Sequence, residues 1–378
     1  MRIKYILILN SIILFSACAT KPIMYDSFKP GEIWLDNNGV HVNAHGGGIL
    51  FDDGRYYWFG EHKTEGENGN FANVGVHCYS SRDLYNWTDE GIALAVMPDS
   101  SGSDIEKGCI LERPKVIKNN KTGQYVMWFH LEPKGKGYKG ALSGVAVSDN
   151  ITGPYTYIKS VRPNAGHFPF NVLDIHYGDS PSLGQRFDGG SLPGNIDTLN
   201  ILGRDMKGGQ MARDMTLFAD DDGKAYHIYS SEENSTLHIA ELSDDYLSHT
   251  GKYGRFFPGR FMEAPAIFKR NNKYYLMMSG CTGWAPNQAR SAVSDGIFGE
   301  WKELGDPCIG DSMHTTFHSQ STFILPVQGK KETYIYMGDR WTPQNAIDGR
   351  YVWLPVRFEE DRFFIEWKDQ WNWENRDN

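Results

Sequence analysis

From Gly46 onwards the chain alternates short apolar runs with clusters of Asp, Asn and Gly, the pattern of strands joined by tight turns. Ile49-Leu50-Phe51 and Tyr56-Tyr57-Trp58-Phe59 flank Asp52-Asp53-Gly54, a third strand is predicted over 74–80, and Trp87 is placed in a fourth. A second unit runs from Glu112 through a turn at 119–123 to Trp128, then on to 144–148. A third starts at Arg213-Asp214, turns at Asp220-Asp221-Asp222-Gly223 and continues over 225–229 and 237–242. The Asp run lacks calcium-loop spacing and reads as a hairpin turn. A fourth unit holds 266–268, Asn271-Asn272, 274–278 and 289–294; a fifth opens at 318–325 and closes through 351–355. No helical period interrupts this series. A long Gly- and Pro-rich stretch from Arg162 to Met211 breaks it and is expected to be an insertion over one rim of the fold. Five units, recurring at roughly 50 to 65 residues once that stretch is set aside, predict an all-β fold, a five-bladed β-propeller. A large β-sandwich is the alternative, but it would not explain why acids recur where units begin.

Those acids are the candidate chemistry. Glu263 is followed by Ala264-Pro265 and then a strand, and Glu112 by Arg113-Pro114 and then a strand. Proline is tolerated where a strand begins. In a propeller the innermost strands line the axis, so the residues at their starts converge at one end of the channel. That places Glu112, Asp214, Glu263 and Gln320 together, with His45 or a neighbour from the first unit. Three carboxylates and an amide suit glycoside hydrolysis, in which one carboxyl protonates the leaving oxygen and another group orients or deprotonates water. Like charges at close range would raise one pKa. The local alternative is a pair of structural ion pairs, Arg113 with Glu112 and Arg213 with Asp214.

Composition narrows the setting. The 378 residues are 40% hydrophobic and 22% charged, ordinary for a packed chain, and the net charge of −9 argues against a nucleic-acid partner. Aromatics make up 13%, enough for sheet packing and for sugar stacking alike. Met1 to Lys4 is a short basic leader, and the apolar run that follows is too short for a permanent span. It closes as Ser16-Ala17-Cys18, like a bacterial lipoprotein signal with Cys18 lipidated. The expected layout is a signal over 1–18, a linker and entry segment over 19–40, and one catalytic propeller over 41–378. The expected product is a monomer exported to the periplasm or outer membrane and attached only through Cys18. Cys78, Cys109, Cys281 and Cys308 form no C-x-x-C pair, so a zinc ribbon is not expected.

Five strings carry a family resemblance. They are Glu112-Arg113-Pro114-Lys115-Val116, Arg213-Asp214-Met215-Thr216-Leu217-Phe218, Glu263-Ala264-Pro265-Ala266, Ser279-Gly280-Cys281-Thr282-Gly283-Trp284 and Ser319-Gln320-Ser321-Thr322-Phe323. From about Gly46 to Trp353 the chain resembles glycoside hydrolase family 43, and these strings resemble its exo-β-1,3-galactanase branch. The resemblance implies an inverting galactan hydrolase that needs no cofactor. It makes Glu263 the general acid, Asp214 its orienter, Gln320 the holder of the attacking water, and Glu112 a substrate ligand or aid to the base. Residues 42–48 lack the carboxylate that most of the family uses as base, a loss the galactanase branch shares. The resemblance also points to Trp284 as a sugar platform and, more weakly, to Glu61 as a ligand for a sugar hydroxyl. His318, expected near the axis, is a core histidine or an ion ligand and is not assigned a metal. The competing expectations are an arabinofuranosidase or xylosidase of the same family, and a non-catalytic glycan-binding propeller.

Overall fold

The computed structural model describes residues 24–180 and 196–375; the leader and Cys18 lie outside them. Blade 1 comprises β1 (His45–Asp52), β2 (Arg55–Lys63), β3 (Asn73–Ser81) and β4 (Thr88–Ala95). Blade 2 comprises β5 (Ile110–Lys118), β6 (Tyr125–Glu132), β7 (Leu142–Ser148) and β8 (Thr156–Val161). The insertion follows; its described residues include two short 3-10 turns (Asp174–Tyr177 and Ile196–Leu199) and the short helix α1 (Ile201–Asp205). Blade 3 is β9 (Met215–Ala219), β10 (Ala225–Ser231), β11 (Thr236–Leu242) and β12 (His249–Phe256). Blade 4 is β13 (Glu263–Arg270), β14 (Lys273–Ser279), β15 (Arg290–Ser294) and β16 (Lys302–Gly305). The last sheet takes in the short β17 (Cys308–Ile309), then β18 (Gln320–Pro326), β19 (Tyr334–Arg340), β20 (Arg350–Glu359) and β21 (Arg362–Glu366). Each sheet is an antiparallel meander, except that β17 runs parallel to β21. The inner strands pack side by side in the order β1, β5, β9, β13, β18 and back to β1, which closes a five-bladed propeller.

The second strands place apolar side chains on both faces because both are covered. β6 is buried along its whole length. Its Met127 and Phe129 pack against Phe59 and Cys78 of blade 1, and the alternate Val126 and Trp128 against Leu217 and Tyr229 of blade 3. The period of two thus supplies two inter-blade cores from one strand. Trp87 belongs to the aromatic core between blades 1 and 5 but precedes the fourth strand, which begins at Thr88.

Within the segment 19–40, expected as linker and entry, the described residues 24–40 form a staple. Phe28 bridges Trp371 through two main-chain bonds of 2.8 and 3.0 Å and stacks on its indole at 4.4 Å. Gly31 N donates to Tyr351 O at 2.8 Å. The staple joins the start of the described chain to its last blade, because the aromatics Phe28 and Trp34 cannot be left in water while an apolar groove between blades 1 and 5 is open.

Candidate active site

The inner strands break register where the candidate residues sit. Shifts fall between His45 and Gly48, Glu112 and Lys115, Glu263 and Ala266, and Ser321 and Phe323. At three of these bulges the residue after the candidate is left-handed: Gly46 at φ 60°, Arg113 at 56° and Ala264 at 51°. A β-carbon on Gly46 would meet Glu61 Oε1 at 2.3 Å, so only glycine fits there. Pro114 and Pro265 follow the other two, where a bulge leaves no ladder bond for their missing N–H to break. The Glu-x-Pro strings are therefore bulges within or at the start of strands, and they turn the carboxylates towards the axis.

Glu61, Glu112, Asp214, Glu263, Trp284 and Gln320 all line one cavity of about 230 Å³, walled further by Asn70, Arg113, Tyr138 and Trp341. All six residues expected at the site are thus brought together. Two others are not. His45 is buried beside Tyr351 and Trp341, at ring distances of 5.6 and 5.9 Å, and His318 is exposed on the rim of a neighbouring cavity of about 310 Å³, off the axis.

The local ion pairs of the alternative reading do not form. Arg113 reaches across the axis, donating to Asp214 Oδ2 at 3.0 Å and Gln320 Oε1 at 2.6 Å, while Arg213 pairs with Glu233 at 3.4 Å. Asp214 Oδ2 also accepts the Ala264 N–H at 3.1 Å, which ties it to the strand of Glu263. Burial first, and then the Asp214 charge, push the Glu263 carboxyl up to about 7, against the pull of Cys281, Arg113 and Arg213. Glu263 Oε1 accepts from Asn234 Nδ2 at 2.7 Å.

Glu112 is held the other way. Burial opposes its charge, but the hydrogen bond and charge of His130, with Lys63 and the Tyr138 hydroxyl, carry it down to about 2. His130 lies between Glu112 Oε2 at 2.9 Å and Glu132 Oε1 at 3.1 Å; these two carboxylates overcome burial and raise it to about 9. Glu112, His130 and Asp214 each bring a ligand atom within 4.8 Å of the others. Both ring nitrogens of His130 are already engaged by carboxylates, an arrangement that holds a proton. Glu61 is a buried partner of Lys63 at 2.8 Å and accepts the Arg113 N–H at 2.9 Å.

Gln320 has a fixed amide. Its Oε1 accepts from Arg113 and from Trp341 Nε1 at 3.1 Å, groups that can only donate, and its Nε2 donates to Ser279 Oγ at 2.9 Å. Both lone pairs of the oxygen are used, so what Gln320 can still offer a water is an N–H.

Sequence reasoning missed Arg113 as a cross-axis bridge, and also His130, Asp339 (which accepts the Gly46 N–H at the first bulge), Tyr138, Trp341 and Asn234. A signal existed for the first two of the rest. Across each inner hairpin a candidate faces a second residue: His45 faces Glu61, Glu112 faces His130, and Gln320 faces Asp339. Counting back from the turn would have found them. Tyr138, Trp341 and Asn234 come from loops or turns, whose course no periodicity reports.

A propeller whose axial mouth gathers carboxylates, one raised to about 7 and another in the same cavity held ionised, defines a glycoside hydrolase. Comparison agrees. The family model "Glycosyl hydrolases family 43" matches residues 197–352. A solved family 43 β-1,3-galactosidase in complex with galactodeoxynojirimycin is 52% identical, covering 92% of this chain and 100% of that one, with a TM-score of 0.84. The exo-β-1,3-galactanase of Phanerochaete chrysosporium with β-1,3-galactotriose is 32% identical over 92% of this chain and 68% of that one, TM-score 0.74. A β-D-galactofuranosidase of Aspergillus niger is 32% identical over 92 residues, 23% of this chain; the matched stretch spans about a quarter of that protein, 26%. The chain belongs to glycoside hydrolase family 43.

Proposed function

We propose that the protein is an exo-acting glycoside hydrolase that releases galactose from β-1,3-galactan, with inversion. The observation that carries this is Glu263, held at about 7 by burial and by Asp214 and so able to give a proton near neutral pH. The cavity of about 230 Å³ is below the roughly 300–1,000 Å³ usual for drug-sized ligands and suits one terminal sugar ring. Trp284, 42% exposed, offers its indole face as a sugar platform, and Glu61 lies within the same wall. The galactose-type ligands of the two solved relatives favour galactan over arabinose- or xylose-containing substrates.

In this reading Glu263 protonates the departing oxygen while Asp214 and Arg113 set its charge environment. Gln320 donates an N–H to the attacking water and cannot take its proton, because its oxygen already accepts two donors. The proton goes to Glu112, a carboxylate held ionised in the same cavity. The test is product analysis on β-1,3-galactan with wild type beside Glu263→Gln. Galactose from wild type alone supports the reading; binding without release would favour a glycan-binding propeller. Export as a lipoprotein rests on residues 1–18. Palmitate labelling that persists in Cys18→Ala would overturn it.

A further inference from the structure

None of the described residues of the insertion between blades 2 and 3 enters the chemistry above, yet the hairpin loop beside it is unusual. Glu232, Glu233 and Asn234, joining β10 to β11, have φ of 50°, 58° and 65°. Asparagine visits the left-handed region readily, but two glutamates in succession do not. Such strain persists only where the surroundings over-determine it. Buried Glu232 accepts from Arg255 Nε at 2.6 Å and Nη2 at 2.7 Å and from His238 Nε2 at 2.8 Å. Glu233 accepts from Arg204 Nη1 at 3.0 Å and Arg213 Nη2 at 3.4 Å. The insertion supplies or secures two of these cations. Arg204 belongs to α1, and Arg255 is held by Asp197 at 2.9 Å. Asn171 also brackets the Arg255 main chain, at 2.6 and 3.0 Å.

The third residue of the loop is its output. Asn234 Oδ1 accepts from Arg213 Nη1 at 3.2 Å, and since a guanidinium only donates, the amide nitrogen must face the other way. That nitrogen donates to Glu263 Oε1 at 2.7 Å. The carbonyl oxygen of a protonated carboxyl is the stronger acceptor of an amide N–H, so this bond favours the proton on Oε2. The thiol of Cys281 also bonds Glu263 but is a weak donor.

We propose that Asn234 is a positioning residue that fixes which oxygen of Glu263 bears the proton, and that the insertion holds it there through the Arg204 and Arg255 clamp on residues 232–234. The proposal rests on Glu263 being the general acid. Asn234 does not line the cavity, so it acts through Glu263 and not on the sugar.

Leaving-group dependence tests it. A β-1,3-linked galactobiose needs its leaving oxygen protonated, whereas 2,4-dinitrophenyl β-galactoside does not. Asn234→Ala is expected to lower kcat/KM on the disaccharide about tenfold or more, within the range of general-acid effects, and on the aryl galactoside less than about threefold. Arg204→Met, which leaves buried Glu233 to Arg213 alone, should show the same selectivity in smaller measure, with a lowered Tm but a folded protein. Equal losses on both substrates, or no loss on the disaccharide, would overturn the positioning role while leaving the glycosidase reading intact. A wild type inert on both substrates would instead sink that reading, and this proposal with it.

Discussion

At the scale of single residues the site is a set of unequal carboxyls. Activity should fall as pH rises through about 7, because Glu263 must carry its proton to act. Its stability effect has a definite sign. A carboxyl whose pKa is raised on folding favours the folded state fully below its unfolded value, and that contribution is lost as pH climbs from about 4.5 to about 7. Glu263→Gln, which imitates the protonated acid, should therefore cut activity by at least about a hundredfold. It should also raise Tm above wild type at pH 8, and the difference should vanish near pH 4; a Tm gain independent of pH would contradict the argument. The water step separates in a second pair of variants. Gln320→Ala should weaken activity, and Glu112→Gln should weaken it more; if Glu112→Gln keeps most activity, Glu112 is not the base. The residue types at the site were legible in the sequence, but their partners were not. Arg113 sits next to Glu112 in the chain, yet its left-handed backbone at the bulge sends the guanidinium to Asp214 and Gln320 instead.

At the scale of elements the hairpins were the clearest reading, because apolar alternation and turn chemistry agree there. Asn271 and Asn272, expected as a turn, have φ of 50° and 60°, the doubly left-handed turn that matches strand twist. Replacing both with alanine should cost roughly 1–2 kcal/mol for each left-handed residue in a urea titration, whereas Asn272→Gly should be neutral or better. The bulges were harder to read. A Glu-x-Pro string looks like the mouth of a strand, but β5 already begins at Ile110, two residues before Glu112. Local sequence shows the proline; only pairing with β6 shows the extra residue.

At the scale of the whole molecule the propeller must be closed, and here residues 24–40 and Trp371 do the work. Trp371, 1% exposed, is sandwiched in the aromatic core with Phe28, and its Nε1 donates to Trp353 O at 2.8 Å. Trp371→Ala should destabilise the protein by about 3–5 kcal/mol, measured by chemical denaturation. A loss under about 1 kcal/mol would mean that the staple contributes little to closure.

The sequence alone determined the number of blades, the turns between strands and the residue types offered to the axis, because each depends on neighbours a few positions away. Only the tertiary structure decided which charge answers which, how the insertion grips blade 3, and that residues 24–40 staple the ring. Those contacts join residues far apart in the chain, and their energies depend on burial that no short window of sequence can report.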